Sequence, residues 1–91
     1  MEKVSFGEIL FISGMENYVV IQMENKRIIT HSTIKSLLDK LPDGKFIQTH
    51  KSYIVAIDKV DLIDGNALRI KNYQVPISRS LRDTVIQMLL R

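Results

Sequence analysis

Apolar residues follow the chain in patterns typical of short strands and of amphipathic helices. Ile9 to Ile12 is a short apolar run that predicts a buried strand. Tyr18 to Met23 and Arg27 to His31 are rich in β-branched residues and flank a turn at Asn25, which predicts a β-hairpin. The first third of the chain is therefore expected to form sheet.

Four apolar residues after this hairpin recur at i, i+3, i+4 and i+7, the stripe of a helix packed on an apolar surface. They are Ile34, Leu37, Leu38 and Leu41. We expect Ser32 to be the N-cap of this helix, since a serine side chain accepts a hydrogen bond from the first turn. Pro42-Asp43-Gly44 is expected to end the helix.

Short strands are predicted again in the second half of the chain. Tyr53 to Ile57 and Val60 to Ile63 have the composition of strands. Asp64-Gly65-Asn66 then turns the chain into Ala67 to Ile70, because an Asp-Gly pair supplies the positive φ angles of a tight hairpin.

The last quarter predicts one edge strand and one helix. Gln74 to Ile77 is a short strand, and Pro76 suits a sheet edge because it has no N–H to donate. Ser80 and Asp83 resemble a capping box that opens a helix. The helical stripe consists of Leu81, Val85, Met88 and Leu89. The predicted fold class is mainly β, with one inserted short helix and a C-terminal helix.

The bulk composition predicts one small globular domain over residues 1–91, with 45% apolar and 25% charged residues. There is no cysteine, which excludes disulfides and thiolate metal sites. No apolar run is long enough to cross a bilayer and no signal peptide is evident, so we expect a cytoplasmic protein without membrane association. The net charge of +3 suits nucleic acid only if the cations gather on one surface.

The sequence predicts neither an enzyme nor a cofactor site. His31 and His50 are not in a metal-ligand spacing, and the glycines form no phosphate loop. A triad could be drawn from His50, Ser52 and Asp58, but nothing in the sequence places Asp58 behind the imidazole. A small hydrolase built on His50 is therefore the last of the alternatives.

Three segments resemble the LytTR DNA-binding domain, the output module of bacterial response regulators of the LytR/AgrA type. They read ILFISGMENYVVIQ (9–22), LPDGKFIQTHKSYIVAIDKVDLI (41–63) and VPISRSLRDTV (75–85). Glu8 stands where Asp is common, Ala56 where Asn is common and Gln48 where a basic residue is frequent. Family domains usually begin with a further strand, which here only Met1 to Gly7 could supply.

The resemblance implies an elongated arrangement of short antiparallel strands whose loops, rather than a helix, enter successive major grooves of double-stranded DNA. It also implies paired repeat elements as the target, two copies bound on one helical face as a possible homodimer, and a receiver domain in the full-length protein. Base and phosphate contacts carried over from the family fall on Asn17, Lys51 and Arg79.

Each of these residues also has an ordinary structural interpretation. Arg79 can bind guanine O6 and N7, or be an exposed arginine at the start of a helix. Asn17 can pair with adenine N6 and N7, or occupy a turn. Lys51 can neutralise a phosphate, or be a solvated lysine at a strand end. We expect Arg79 and Asn17 to read bases and Lys51 to fix register.

His50 and Ser52 are interpreted as structural support. If this segment is extended, both side chains lie on the opposite side of the chain from Lys51, where hydrogen bonds into neighbouring loops would orient Lys51. Tyr18 is expected to be a core ring. Possible secondary phosphate contacts, whose default interpretation is a solvated charge, are Lys26, Arg27 and Arg82.

Two non-enzymatic alternatives remain. The first is a protein-interaction module that uses a sheet edge for strand addition. The second is a single-stranded RNA binder of the small-barrel type, which requires exposed aromatic platforms.

Overall fold

The computed structural model describes residues 4–90 and contains two antiparallel sheets and two helices in that range. The strands are β1 Ile9–Met15, β2 Tyr18–Met23, β3 Arg27–His31, β4 Phe46–His50, β5 Tyr53–Ala56, β6 Leu62–Asp64, β7 Ala67–Ile70 and β8 Tyr73–Pro76. The helices are α1 Ile34–Lys40 and α2 Arg82–Leu89, and single 3-10 turns form at Phe6–Glu8, Ile57–Lys59 and Arg79–Leu81. The mainly β fold class, with one inserted and one C-terminal helix, is confirmed.

The strands pair in the orders β3-β2-β1-β5-β4 and β6-β7-β8. The molecule is elongated, with principal extents of 36 × 24 × 22 Å. The small sheet is a meander of hairpins, in which Gly65 takes a φ of +62° at the predicted turn. Pro76 lies on the edge strand β8, as predicted from its missing N–H donor.

Each face of the five-stranded sheet packs against a core, although the second face is open at its β2–β3 edge, where Tyr18 and Ile29 are exposed. On one face, Ile12, Val19 and Ile54 pack with Ile34 of α1. The other face packs against the small sheet and α2 through a second core. Its members are Leu10, Phe11, Ile47, Val55, Leu68, Ile70, Val75, Ile77 and Val85. Apolar burial of this kind is the main stabilising term in a domain of this size.

A β-bulge early in β1 explains how four consecutive apolar residues are all buried. The register shifts between Ile9, opposite Met23, and Phe11, opposite Gln22. Because of the extra residue, Leu10 and Phe11 belong to the second core whereas Ile9 and Ile12 belong to the first. The predicted strand Ile9–Ile12 is present and continues to Met15.

Several element boundaries differ from prediction. β4 was not predicted, because Phe46 and Ile47 are buried on opposite faces and the segment shows no alternation. The predicted strand Val60–Ile63 begins later, at Leu62, because the 3-10 turn Ile57–Lys59 has its C-cap at Val60. Residues 4–8 contain a 3-10 turn where the further N-terminal strand was considered, and residues 1–3 lie outside the described part.

The helix caps also differ from prediction. The N-cap of α1 is Thr33, whose hydroxyl accepts the N–H of Ser36 at 3.1 Å, and not Ser32. The capping box of Ser80 and Asp83 does not form, because the 3-10 turn Arg79–Leu81 runs directly into α2 and leaves Ser80 inside helical backbone.

Gly14 of β1 provides a test of the packing of α1. A Cβ at this position would lie 2.6 Å from Cγ1 of Ile34, a methylene carbon of a side chain packed in the core. We expect Gly14→Ala to lower the free energy of unfolding by about 1–3 kcal/mol through overpacking. The measurement is urea denaturation followed by circular dichroism.

Gly7→Ala is the matched control, since a Cβ at Gly7 meets no heavy atom within 4 Å among the described residues. Its effect should stay within about 0.5 kcal/mol. A Gly14→Ala protein as stable as the parent would show that α1 does not rest on β1.

Candidate nucleic-acid interface

Three loops meet at one end of the five-stranded sheet, which we call the loop end. The β1–β2 turn, residues 16–17, projects beyond the last ladder pair, Met15 and Tyr18. The β4–β5 turn, residues 51–52, lies beside it, since the N–H of Gly14 donates to the carbonyl of Ser52 at 2.8 Å. The third loop, residues 77–81, follows β8 and is joined to the end of β4.

Thr49 makes that junction between the two sheets. Its hydroxyl donates to the carbonyl of Pro76 at 3.0 Å, and its own carbonyl accepts the N–H of Ser78 at 2.8 Å. Its side chain is 0% exposed, whereas its partners Pro76 and Ser78 are half-buried. This residue was not singled out from the sequence. The sequence signal that could have identified Thr49 is its place two residues after the buried Ile47, which puts a polar side chain at an inward-facing strand position.

Lys51 is exposed in the β4–β5 turn, which is preceded by a second β-bulge between Gln48 and His50. The Nδ1 atom of His50 accepts the N–H of Ser52 at 3.1 Å. The side-chain Nε2 of Gln48 donates to the carbonyl of His50 at 3.1 Å. Local hydrogen bonds therefore define the conformation of the turn that presents Lys51.

The extended geometry assumed for this segment is wrong, because the chain bends sharply between β4 and β5. His50 does stabilise the turn, but through a hydrogen bond to Ser52 within the turn and not through one to a neighbouring loop. The bonds to the neighbouring loops come from Thr49 and from the backbone carbonyl of Ser52.

Arg79 is exposed at the first position of the 3-10 turn that leads into α2. The preceding Ser78 is anchored to Thr49, and Ile77 is anchored to the carbonyl of Asn66 at 2.8 Å. Two backbone hydrogen bonds thus position the loop that carries Arg79. The guanidinium lies at the helix start, where a cation is slightly unfavourable for the helix itself.

Asn17 is exposed at the tip of the β1–β2 turn, and its carbonyl accepts the N–H of Ser32 at 3.0 Å. This bond joins the β3–α1 junction to the loop end. A polar groove of about 260 Å³ lies here, with Lys40 as its cationic residue. The groove is lined by Asn17, His31, Ser32, Thr33, Ser36 and Lys40. Lys40 was not predicted, although its i+4 spacing from Ser36 places both on the polar face of α1.

Lys26 and Arg27 do not lie near these loops. Lys26 lies in the β2–β3 turn, where Met23 donates to its carbonyl, and Arg27 begins β3, both at the opposite end of the sheet. Five strand residues separate the two ends, roughly 17 Å. A single surface that includes these two cations together with Lys51 is therefore not formed.

Arg82 has a structural role. Its Nη1 donates to the carbonyl of Gly65 and, at 3.3 Å, to Oδ1 of Asn66. Because Asn66 in turn accepts the N–H of Ile77, Arg82 fastens the β6–β7 turn to the loop that carries Arg79.

The prediction of Tyr18 as a core ring is wrong. Its side chain is 51% exposed, and its ring meets the imidazole of His31 edge-on with centroids 5.1 Å apart. Tyr18 alternates with Val19, which takes the buried position, so the ring projects from the opposite face at the loop end.

Within residues 4–90 no group of three or more His, Cys, Asp or Glu side chains is arranged to hold a metal ion. In the same range no helix is both long and apolar enough to cross a membrane.

Comparisons with known proteins agree with this fold. The family model of the LytTr DNA-binding domain matches residues 1–90. The sensory transduction proteins LytT of Bacillus anthracis and Bacillus cereus are each 24% identical over 92 residues, which cover 94% of this chain and 37% of each relative. A solved LytTr DNA-binding domain of a methyl-accepting/DNA response regulator from Bacillus cereus superposes with a TM-score of 0.84 at 21% identity, over 94% of this chain and 84% of that chain.

The chain belongs to the LytTR DNA-binding domain family, since the family model matches nearly all of it. The resemblance found in its three segments is thereby confirmed. DNA binding is the function that this membership supports.

Thr49→Val tests the junction between the sheets. The substitution preserves shape but leaves the carbonyl of Pro76 without its donor, and we expect a loss of about 1–3 kcal/mol in the free energy of unfolding. The measurement is urea denaturation, with Thr84→Val on the exposed side of α2 as the control. Equal stability of the Thr49→Val and Thr84→Val variants would show that the Thr49 side chain does not stabilise the contact between the sheets.

Proposed function

We propose that the domain binds double-stranded DNA sequence-specifically through the loop end, as the output module of a cytoplasmic bacterial transcription regulator. The observation that carries this proposal is the set of backbone hydrogen bonds that gathers the loops of Asn17, Lys51 and Arg79 at one end of the sheet. All three side chains are exposed there.

In this mechanism the three residues have different tasks. Arg79 donates two N–H groups to guanine O6 and N7, and Asn17 pairs with adenine N6 and N7. Lys51 neutralises a phosphate and fixes register, which adds affinity but little sequence information. Recognition requires no cofactor, because every contact is a hydrogen bond or a charge pair from a side chain.

The two flanking loops would enter consecutive major grooves while the β4–β5 turn follows the backbone between them. Such an insertion bends the duplex, at a cost of order 1–6 kcal/mol that the added contacts offset. The proposed target is a pair of similar elements bound by two copies of the domain. In the full-length protein, a receiver domain would supply the phosphorylation switch.

Arg79→Ala should relax the selected motif at one base pair, with a loss of about 1–3 kcal/mol of discrimination there. The measurement is selection from a randomised duplex pool, followed by titration of single-base variants. Arg69→Ala is the matched control, since Arg69 is exposed on the outer face of the small sheet. If the Arg79→Ala variant selects an unchanged motif, Arg79 does not read a base.

Lys51→Ala should weaken binding to all duplexes alike and reduce the salt slope by about one unit, because one phosphate contact is lost. The measurement is affinity for random duplex between low and high salt. Lys45→Ala, at the opposite end of β4, should leave the slope unchanged. A slope that is equal in both variants would exclude Lys51 from phosphate binding.

The same titration separates the two non-enzymatic alternatives. Strand addition to a sheet edge predicts no duplex affinity at either salt concentration. A single-stranded RNA binder would prefer single strands in competition, and it needs aromatic rings grouped on one surface. Among residues 4–90 the exposed Phe6 and Tyr18 rings instead lie at opposite ends of the β1–β2 hairpin, and the third exposed ring, Tyr73, lies on β8 of the small sheet.

A further inference from the structure

The tip of the β1–β2 turn carries an acidic side chain, Glu16, at the end of the sheet that presents Lys51 and Arg79. Glu16 and Asn17 are the two residues that project beyond the β1–β2 ladder. The carboxylate is exposed, and no hydrogen bond or ion pair ties it to another described residue. A negative charge here opposes approach of the phosphate backbone, so its presence at this position needs a physical reason.

Backbone stability does not supply that reason. Glu16 has a φ of +54°, in the left-handed region that glycine and asparagine enter more readily than glutamate. A turn shaped only for stability would carry one of those residues. The side chain at this tip is therefore placed at a conformational cost.

The surroundings of Glu16 are apolar. It borders a shallow groove of about 500 Å³ on the sheet face opposite α1, where Met15 is 65% and Ile29 62% exposed. The groove is lined by Met15, Glu16, Tyr18, Val20 and Ile29. Apolar walls exclude water from a docked ligand and so strengthen a hydrogen bond made to the carboxylate.

We propose that Glu16 is a specificity-determining residue that accepts a hydrogen bond from the N4 amino group of cytosine in the major groove. A carboxylate can only accept, and cytosine N4 is a donor with no acceptor beside it on that edge. Guanine offers N7 and O6, thymine offers O4, and adenine places N7 next to its donor, so each of these bases presents an acceptor that repels the carboxylate. The C5–H edge beside N4 would face Met15 and Tyr18.

This inference rests on the proposed function, and Glu16→Gln tests it by selection from a randomised duplex pool. In the wild-type protein we expect roughly tenfold preference for cytosine over adenine at one position. In the variant that preference should disappear or reverse, because a glutamine amide matches adenine N6 and N7. Affinity for random duplex should rise, since one negative charge is removed.

Glu8→Gln is the matched control, because it removes an equal charge just before β1, at the opposite end of the sheet. Its motif should equal that of the wild type. If Glu16→Gln binds every duplex more tightly but selects an unchanged motif, Glu16 is only a surface charge and this inference is wrong. A wild-type protein that selects no motif and binds no duplex would instead overturn the proposed function itself.

Discussion

The two hydrogen bonds between Thr49 and the strand–loop segment around Pro76 and Ser78 join the two sheets where the loops meet. Thr49 itself is fully buried, and a buried polar group left unpaired costs about 1–3 kcal/mol. Sliding of one sheet against the other is therefore penalised at this edge. Lys51 follows Thr49 by two residues, and Arg79 directly follows Ser78. The same bonds therefore hold the backbone segments of the two cations next to each other.

Two β-bulges adapt the large sheet to this arrangement. The bulge in β1 assigns Leu10 and Phe11 to the second core, which secures the small sheet and α2. The bulge before His50 lets Thr49 face the small sheet while the chain turns toward Lys51. A bulge bends a strand and re-aims its side chains, and here both bulges serve the contact between the sheets.

Both helices pack against the sheets. Val85 anchors α2 in the second core. The exposed side chains of α2 include Asp83, Thr84 and Gln87, which carry no positive charge. α1 spans only Ile34–Lys40 and covers the first core. The helices support the sheets, and α1 also carries two exposed cations, Lys35 and Lys40. For DNA binding, the net charge of +3 is less important than the positions of the cations at the two ends of the sheet.

The sequence by itself determined the elements that depend on near neighbours: the hairpin of β2 and β3, the turn at Gly65, the stripe of α1 and the three segments that identify the family. Only the tertiary structure decided which residues share a surface. Thr49 meets Pro76 from 27 positions away, Arg82 is bound to Gly65, and Lys26 falls at the far end of the sheet. Local periodicity reports which face of an element is buried, but hydrogen bonds between distant segments decide where each loop ends up.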